Sequence, residues 1–246
     1  MYQKGNDMKT ILHKADTRGH ANFGWLNSFH TFSFGQYHNP ERVHFGTLRV
    51  LNDDTVAPGM GFGKHPHDNM EIVSIPLSGD LHHNDSTGRD KIIRQGDVQI
   101  MSAGSGIAHS EMNANKDKEV KFLQIWVFPK EKNIEPRYDQ QSFKHEDRLN
   151  RILTVVAPDD EQAIWINQDA WFSLSDLTKD TSIDYTIHKE GNGVYVFVLK
   201  GKVTVNEQIL ETRDGLGVYE TEKLTIKADS DAEILLIDIP MQIQGV

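Results

Sequence analysis

Residues 63–71 read GKHPHDNME and place His65 and His67 on either side of a proline. Proline disfavours helix for the residue before it, so His65 is expected to be extended. In an extended chain residues i and i+2 face the same way, with Cα atoms roughly 6–7 Å apart. Two ring nitrogens at that spacing can converge on one ion about 2 Å from each. The bland alternative is a solvated pair on a polar loop, since twelve histidines in 246 residues make one such pair by chance about an even bet.

A second i, i+2 pair, His109 and Glu111, follows a glycine-rich turn in MSAGSGIAHSEMN, residues 101–113. The same spacing recurs at His188 and Glu190, so the surroundings must discriminate. The first pair precedes a strand and its hairpin, and the second follows the next hairpin. In an antiparallel meander two such segments can lie side by side. Three imidazoles and one carboxylate leave one or two positions of an octahedron open to substrate or O₂. Such a set suits a first-row ion such as Fe(II), or Mn, Ni, Co or Cu.

The elements that must position these residues read as strands. Short apolar or alternating runs, FGTLRVLN (45–52), EIVSIPL (71–77), KFLQIWVF (121–128), RILTVVA (151–157), VYVFVL (194–199) and EILLIDI (233–239), are separated by Gly, Asp and Asn. This pattern indicates antiparallel sandwiches or barrels rather than alternating β and α units. A weak internal repeat places Leu77, Gly79 and Leu81 over Leu199, Gly201 and Val203. At that offset Ile187, Lys189 and Gly193 stand where His65, His67 and Glu71 do. The expectation is two similar β-barrels, residues 1–130 and 131–246, joined through the polar stretch 129–150, with the second lacking a metal site.

Composition excludes several classes. The net charge of −10 with no basic stripe argues against nucleic-acid binding. The absence of cysteine leaves His, Asp and Glu as metal donors. The first residues show no apolar core or cleavage signal, and no run reaches membrane-spanning length. A cytoplasmic, monomeric protein is expected.

HPHDNME, the later Gly79, and GDVQIMSAGSGIAHSEMN resemble the paired motifs of the cupin superfamily. More narrowly, WLNSFHTFSFGQY (25–37), LRVLNDD (48–54), HPHDNMEIV and MSAGSGIAHSE resemble the pirin family over essentially the whole of residues 20–128. The C-terminal half is similar only in outline. The resemblance implies an all-β bicupin (two packed antiparallel jelly-roll barrels) with one divalent ion, Fe(II) first, in the N-terminal barrel. Its ligands would be His65, His67, His109 and Glu111, with Glu71 outside the set. It implies O₂-dependent ring opening of a flavonol such as quercetin or a related phenolic, with Glu111 as general base. The competing implication is a non-catalytic metal- or redox-sensing protein that binds a transcription factor or a metabolic enzyme. A roomy apolar pocket opening onto the metal would favour the enzyme.

Other residues divide less sharply. Phe122, Gln124 and Trp126 share one strand face, where Gln124 either orients a ligand or is a satisfied core amide. His82 and His83 are expected at the rim, and His188 on a surface or loop. His30 and Phe32 belong to the pirin-like stretch without a placement at the metal. Phe62, Met70 and Met101 read as packing, and Gly104 and Gly106 as relief in a tight loop.

Overall fold

In the computed structural model, which describes residues 8–243, regular structure consists of strands that pair antiparallel and two 3-10 turns, Ala15–Thr17 and His145–Asp147. The all-β class is borne out. In chain order, β1 (Lys9–His13) is followed by β2 (Gly19–Asn22), β3 (Leu26–His30), β4 (Leu48–Val56), β5 (Gly61–His67) and β6 (Glu71–Ser78). Next come β7 (Asp80–Asp85), β8 (Asp90–Arg94), β9 (Asp97–Ser102), β10 (Ile107–Asn113), β11 (Val120–Val127) and β12 (Arg137–Ser142). The second half holds β13 (Leu153–Ala157), β14 (Ile164–Trp165), β15 (Trp171–Leu177), β16 (Ser182–Thr186), β17 (Asn192–Lys200) and β18 (Lys202–Val205). It ends with β19 (Gln208–Glu211), β20 (Gly215–Tyr219), β21 (Lys223–Ala228) and β22 (Ala232–Pro240).

The chain divides into two compact units. The first comprises Arg18–Lys144 with Ile164–Gln168. Its sheets run β12-β9-β6-β11-β4-β3-β2 and β5-β10-β7-β8. Leu26, Val56, Leu81, Ile93, Val120 and Phe122 pack together from both sheets, so the two apolar faces close on each other as in a sandwich. The segment 164–168 is tied in by hydrogen bonds from Lys130 N to the Asn167 carbonyl (2.7 Å) and from Gln168 Nε2 to the Phe128 carbonyl (2.7 Å).

The second unit holds the remaining described residues, and its sheets run β1-β20-β17-β22-β15-β13 and β16-β21-β18-β19. These orders repeat the first unit strand for strand: β9, β6, β11, β4 and β3 correspond to β20, β17, β22, β15 and β13. The division differs from a cut at residue 130 in segment 164–168 and in two edge strands. β12 closes the first unit's large sheet beside β9, and β1 occupies the same edge of the second beside β20. β1 is anchored there by His13 Nδ1 against Tyr195 Oη (2.8 Å) and by the Asp214 carboxylate on the Ala15 amide (2.8 Å). No helix among the described residues is long and apolar enough to cross a membrane.

Candidate metal centre

β5 is an edge strand of the smaller first-unit sheet, where Pro66 costs no interior ladder bond. Its pairing with β10 sets His65 opposite His109 and His67 opposite Ile107. A bulge between His109 and Glu111 shifts the register so that Glu111 lies opposite Phe62; bulges re-aim side chains in this way. Before β10 the chain turns through Gly104 (φ +51°) and Gly106 (φ +136°). A Cβ on Gly104 would collide with the Ile134 carbonyl, which explains the glycine there.

The strand geometry brings His65, His67 and His109 together. One donor atom from each lies within 4.8 Å of the others, and the ring centroids are 4.5–4.9 Å apart. His109 is 1% exposed. Burial lowers its pKa far below the imidazole range, reinforced by His65, His67 and His83. Burial and the neighbouring His65 push His67 down to about 4. Both rings are therefore neutral at pH 7, the form that ligates.

Glu111 joins His109 and His83 in a second triad of donors within 4.8 Å. The Ser74 hydroxyl lies 3.1 Å from Glu111 Oε1 and 2.9 Å from Gln124 Oε1, and Gln124 Nε2 donates to Glu111 Oε2. Gln124 thus holds the carboxylate in place. Burial raises Glu111 to about 7, against the opposing pull of Ser74 and Gln124. Glu71 lies outside both triads: its Oε2 accepts from the Ser102 hydroxyl (2.8 Å) and the Asn167 amide (3.2 Å).

The donors fit a transition-metal ion on hydrogen-bonding grounds. Nδ1 of His65 lies 2.7 Å from the Gly63 carbonyl and must donate to it, which leaves Nε2 with its lone pair. Nε2 of His109 is buried with no hydrogen-bond partner, an orphan that an ion would satisfy. Imidazole donors of this kind favour a first-row divalent ion over calcium or magnesium.

One sequence expectation changes. His82 is at the rim, 2.6 Å from Asp90, but His83 is not. Alternation along β7 turns Leu81, His83 and Asp85 inward. His83 is 0% exposed, 2.8 Å from Asp85 Oδ2, and 3.4 Å from Nδ1 of His109 through its own Nδ1. Burial lowers the His83 pKa, against the opposing effect of Asp85. His188 lies, as expected, on the exposed connection between β16 and β17, where its Nδ1 is 2.9 Å from Oδ2 of the buried Asp238.

A cavity of about 850 Å³ opens beside the cluster and is lined by His65, Glu111 and Gln124. Phe34, Trp25, Phe62 and Trp126 form its aromatic walls, and Trp126 also stands edge-on to His67 at 4.9 Å. Its lining includes three buried polar atoms without partners, His30 Nδ1, Asn52 Oδ1 and Trp126 Nε1. Asp54, hydrogen-bonded to the Ser28 hydroxyl, lines it too, and burial raises its pKa to about 7. The sequence held a signal for Asn52 and Asp54: the polar run 52–55 interrupts β4, and the strand period of two puts Asn52 and Asp54 on one face.

Comparisons with known proteins place the chain in a family. The pirin family model matches residues 12–127, and the model of the quercetinase C-terminal cupin domain matches residues 154–239. A quercetin 2,3-dioxygenase of Escherichia coli (strain K12) is 43% identical over 230 residues, covering 93% of this chain and 98% of the relative. A pirin-like protein of Caulobacter vibrioides is 38% identical, covering 91% and 96%. The crystal structure of the bacterial pirin YhhW from Escherichia coli in complex with nickel(II) superposes with a TM-score of 0.90 at 40% identity, covering 96% of this chain and all of that one. A fold of paired cupins, a His/Glu cluster in the first of them and relatives of this closeness converge: the chain belongs to the pirin family and is a cupin oxidoreductase of the dioxygenase class.

Proposed function

We propose that the first unit binds one divalent ion, Fe(II) by preference, through His65, His67, His109 and Glu111, and opens the ring of a flavonol such as quercetin or a related phenolic with O₂. The observation that carries this reading is the aromatic-walled cavity opening directly onto His65 and Glu111. Its volume, about 850 Å³, lies in the range of small-molecule sites. A protein built only to sense a metal has no need of such a chamber.

A bound ion would supply Lewis acidity toward the phenolic oxygen. The chain's own residues do the rest. Phe34, Trp25, Phe62 and Trp126 hold a planar aromatic and exclude water. Glu111, facing the cavity and steadied by Gln124 and Ser74, takes the phenolic proton as general base. In the net reaction both atoms of O₂ enter the product, the heterocycle opens, and one ring carbon leaves as CO.

An oxygen electrode tests this with quercetin, comparing Fe(II)-loaded and chelated protein, with CO measured in the headspace. The proposal expects O₂ uptake and CO release by the loaded form alone. Metal binding without O₂ uptake would reject flavonol cleavage and leave a metal-sensing, partner-binding role as the reading of the site.

A further inference from the structure

We infer that Asp85 and His83 form a relay that fixes which nitrogen of His109 carries its proton, and so which nitrogen is free to ligate. The inference rests on the ligand set proposed above.

Asp85 Oδ2 lies 2.8 Å from Nε2 of His83. A carboxylate only accepts, so the proton of neutral His83 sits on Nε2 and its Nδ1 is an acceptor. That Nδ1 faces Nδ1 of His109 at 3.4 Å. One of two opposed nitrogens must donate, and it must be His109. Its lone pair is thereby assigned to Nε2, the buried atom with no partner. An ion held through the opposed Nδ1 atoms of His83 and His109 would instead leave His109 Nε2 orphaned in the interior.

Asp85 cannot turn to relieve the arrangement. Its Oδ1 accepts from Thr87 N (2.8 Å), Thr87 Oγ1 (2.6 Å) and Arg89 N (3.3 Å). His83 is clamped from the side by Tyr138, whose ring centroid is 4.6 Å away. Outer hydrogen bonds of this kind orient a ligating imidazole and set its tautomer.

Asp85→Asn is therefore a directed reversal. The three donors at Thr87 and Arg89 demand the oxygen of the new amide, so its NH₂ points at His83. The His83 proton moves to Nδ1, His109 must become the acceptor there, and its own proton is driven onto Nε2. His83→Phe keeps the packing on Tyr138 but only releases His109, which can then adopt either tautomer. Asp85 and His83 are positioning residues in this scheme, and neither contacts the ion.

The test is calorimetric titration of metal-free protein with Co(II), read also by its visible spectrum, for wild type, D85N, H83F and the double variant. D85N should weaken binding by about 10–100-fold, and H83F by less. In the H83F background D85N should cost nothing further, because the residue through which it acts is gone. A purely structural role predicts the opposite order, since D85N is isosteric and H83F is not. Wild-type affinity in D85N, H83F as weak as or weaker than D85N, or additive losses in the double variant would each overturn the relay. A wild type that takes up no Co(II) would instead refute the ligand set itself.

Discussion

The two units share one strand order yet fill their interiors differently. Counting along matched registers, His109 and Glu111 on β10 correspond to Leu224 and Ile226 on β21. His65, opposite His109, corresponds to Tyr185, opposite Leu224, and His67 to Ile187. The clamp is replaced as well. Ser74 and Gln124, paired across β6 and β11, correspond to Val196 and Leu236, paired across β17 and β22, and His83 corresponds to Val205. Tyr185, Val196, Val205, Leu224, Ile226 and Leu236 all belong to one continuous buried cluster, with Ile187 packed against it. The same sandwich thus either encloses hydrocarbon or keeps an aromatic-walled cavity with imidazole and carboxylate groups facing it. Buried carboxylates and imidazoles carry a desolvation cost that hydrocarbon does not, which a bound ion can offset at the first unit's cluster.

That contrast can be broken from either side, and the largest effect is on turnover. Glu111→Gln keeps the side chain's size but removes the base, and should lower flavonol-dependent O₂ uptake by about 10²–10⁴-fold. Oxygen-electrode rates, normalised to bound metal, measure it. In the second unit the register match is tested by Ile226→Glu, which copies Glu111 into the aliphatic cluster without its clamp. It should destabilise the protein by about 3–5 kcal/mol, the cost of an uncompensated buried charge, as read by chemical unfolding. An unaffected midpoint would mean that the two sites do not correspond.

A smaller effect concerns pH. Asp54 and Glu71 are both raised to about 7, chiefly by burial. A carboxyl whose folded pKa exceeds its unfolded value binds its proton more tightly when folded. Its stabilisation is complete below the unfolded pKa, 3.8 for Asp54 and 4.5 for Glu71, and is lost as pH rises through 7. Metal-free protein should therefore lose stability between these limits, by about 3–4 kcal/mol for each such group. Asp54→Asn should flatten that slope in denaturant titrations at pH 5 and pH 8. The smallest expected change is Ser74→Ala, which removes one hydroxyl beside Glu111. It should cost about 1 kcal/mol and leave metal content unchanged.

Much of this was legible in the sequence because strand periodicity is short-range. The i, i+2 spacing of His65 with His67 and of His109 with Glu111 already placed each pair on one face, and the repeat announced two similar units. What escaped depends on features that periodicity does not encode. Alternation cannot say which of His82 and His83 turns inward until the register with β10 is known. The repeat offset placed Ile187 and Lys189 opposite the histidines, whereas the register places Tyr185 and Ile187 there. The connection between β16 and β17 spans residues 187–191, against 68–70 between β5 and β6, and those two extra residues account for the slip. The exchange of β1 and β12 between units was hidden for a different reason: an edge strand's partner is fixed by a docking surface made elsewhere in the chain. The cavity residues His30 and Asn52 were visible as polar positions, but their orphaned atoms are a property of three-dimensional packing.

The central claim is that the first unit holds one ion at its histidine cluster and the second holds none. Elemental analysis of purified wild type beside His65→Ala tests it most directly. The account predicts close to one metal per chain in the wild type and loss of that metal in the variant. A folded wild type that carries no metal and takes up none when offered Fe(II), or a variant that keeps its full complement, would contradict it.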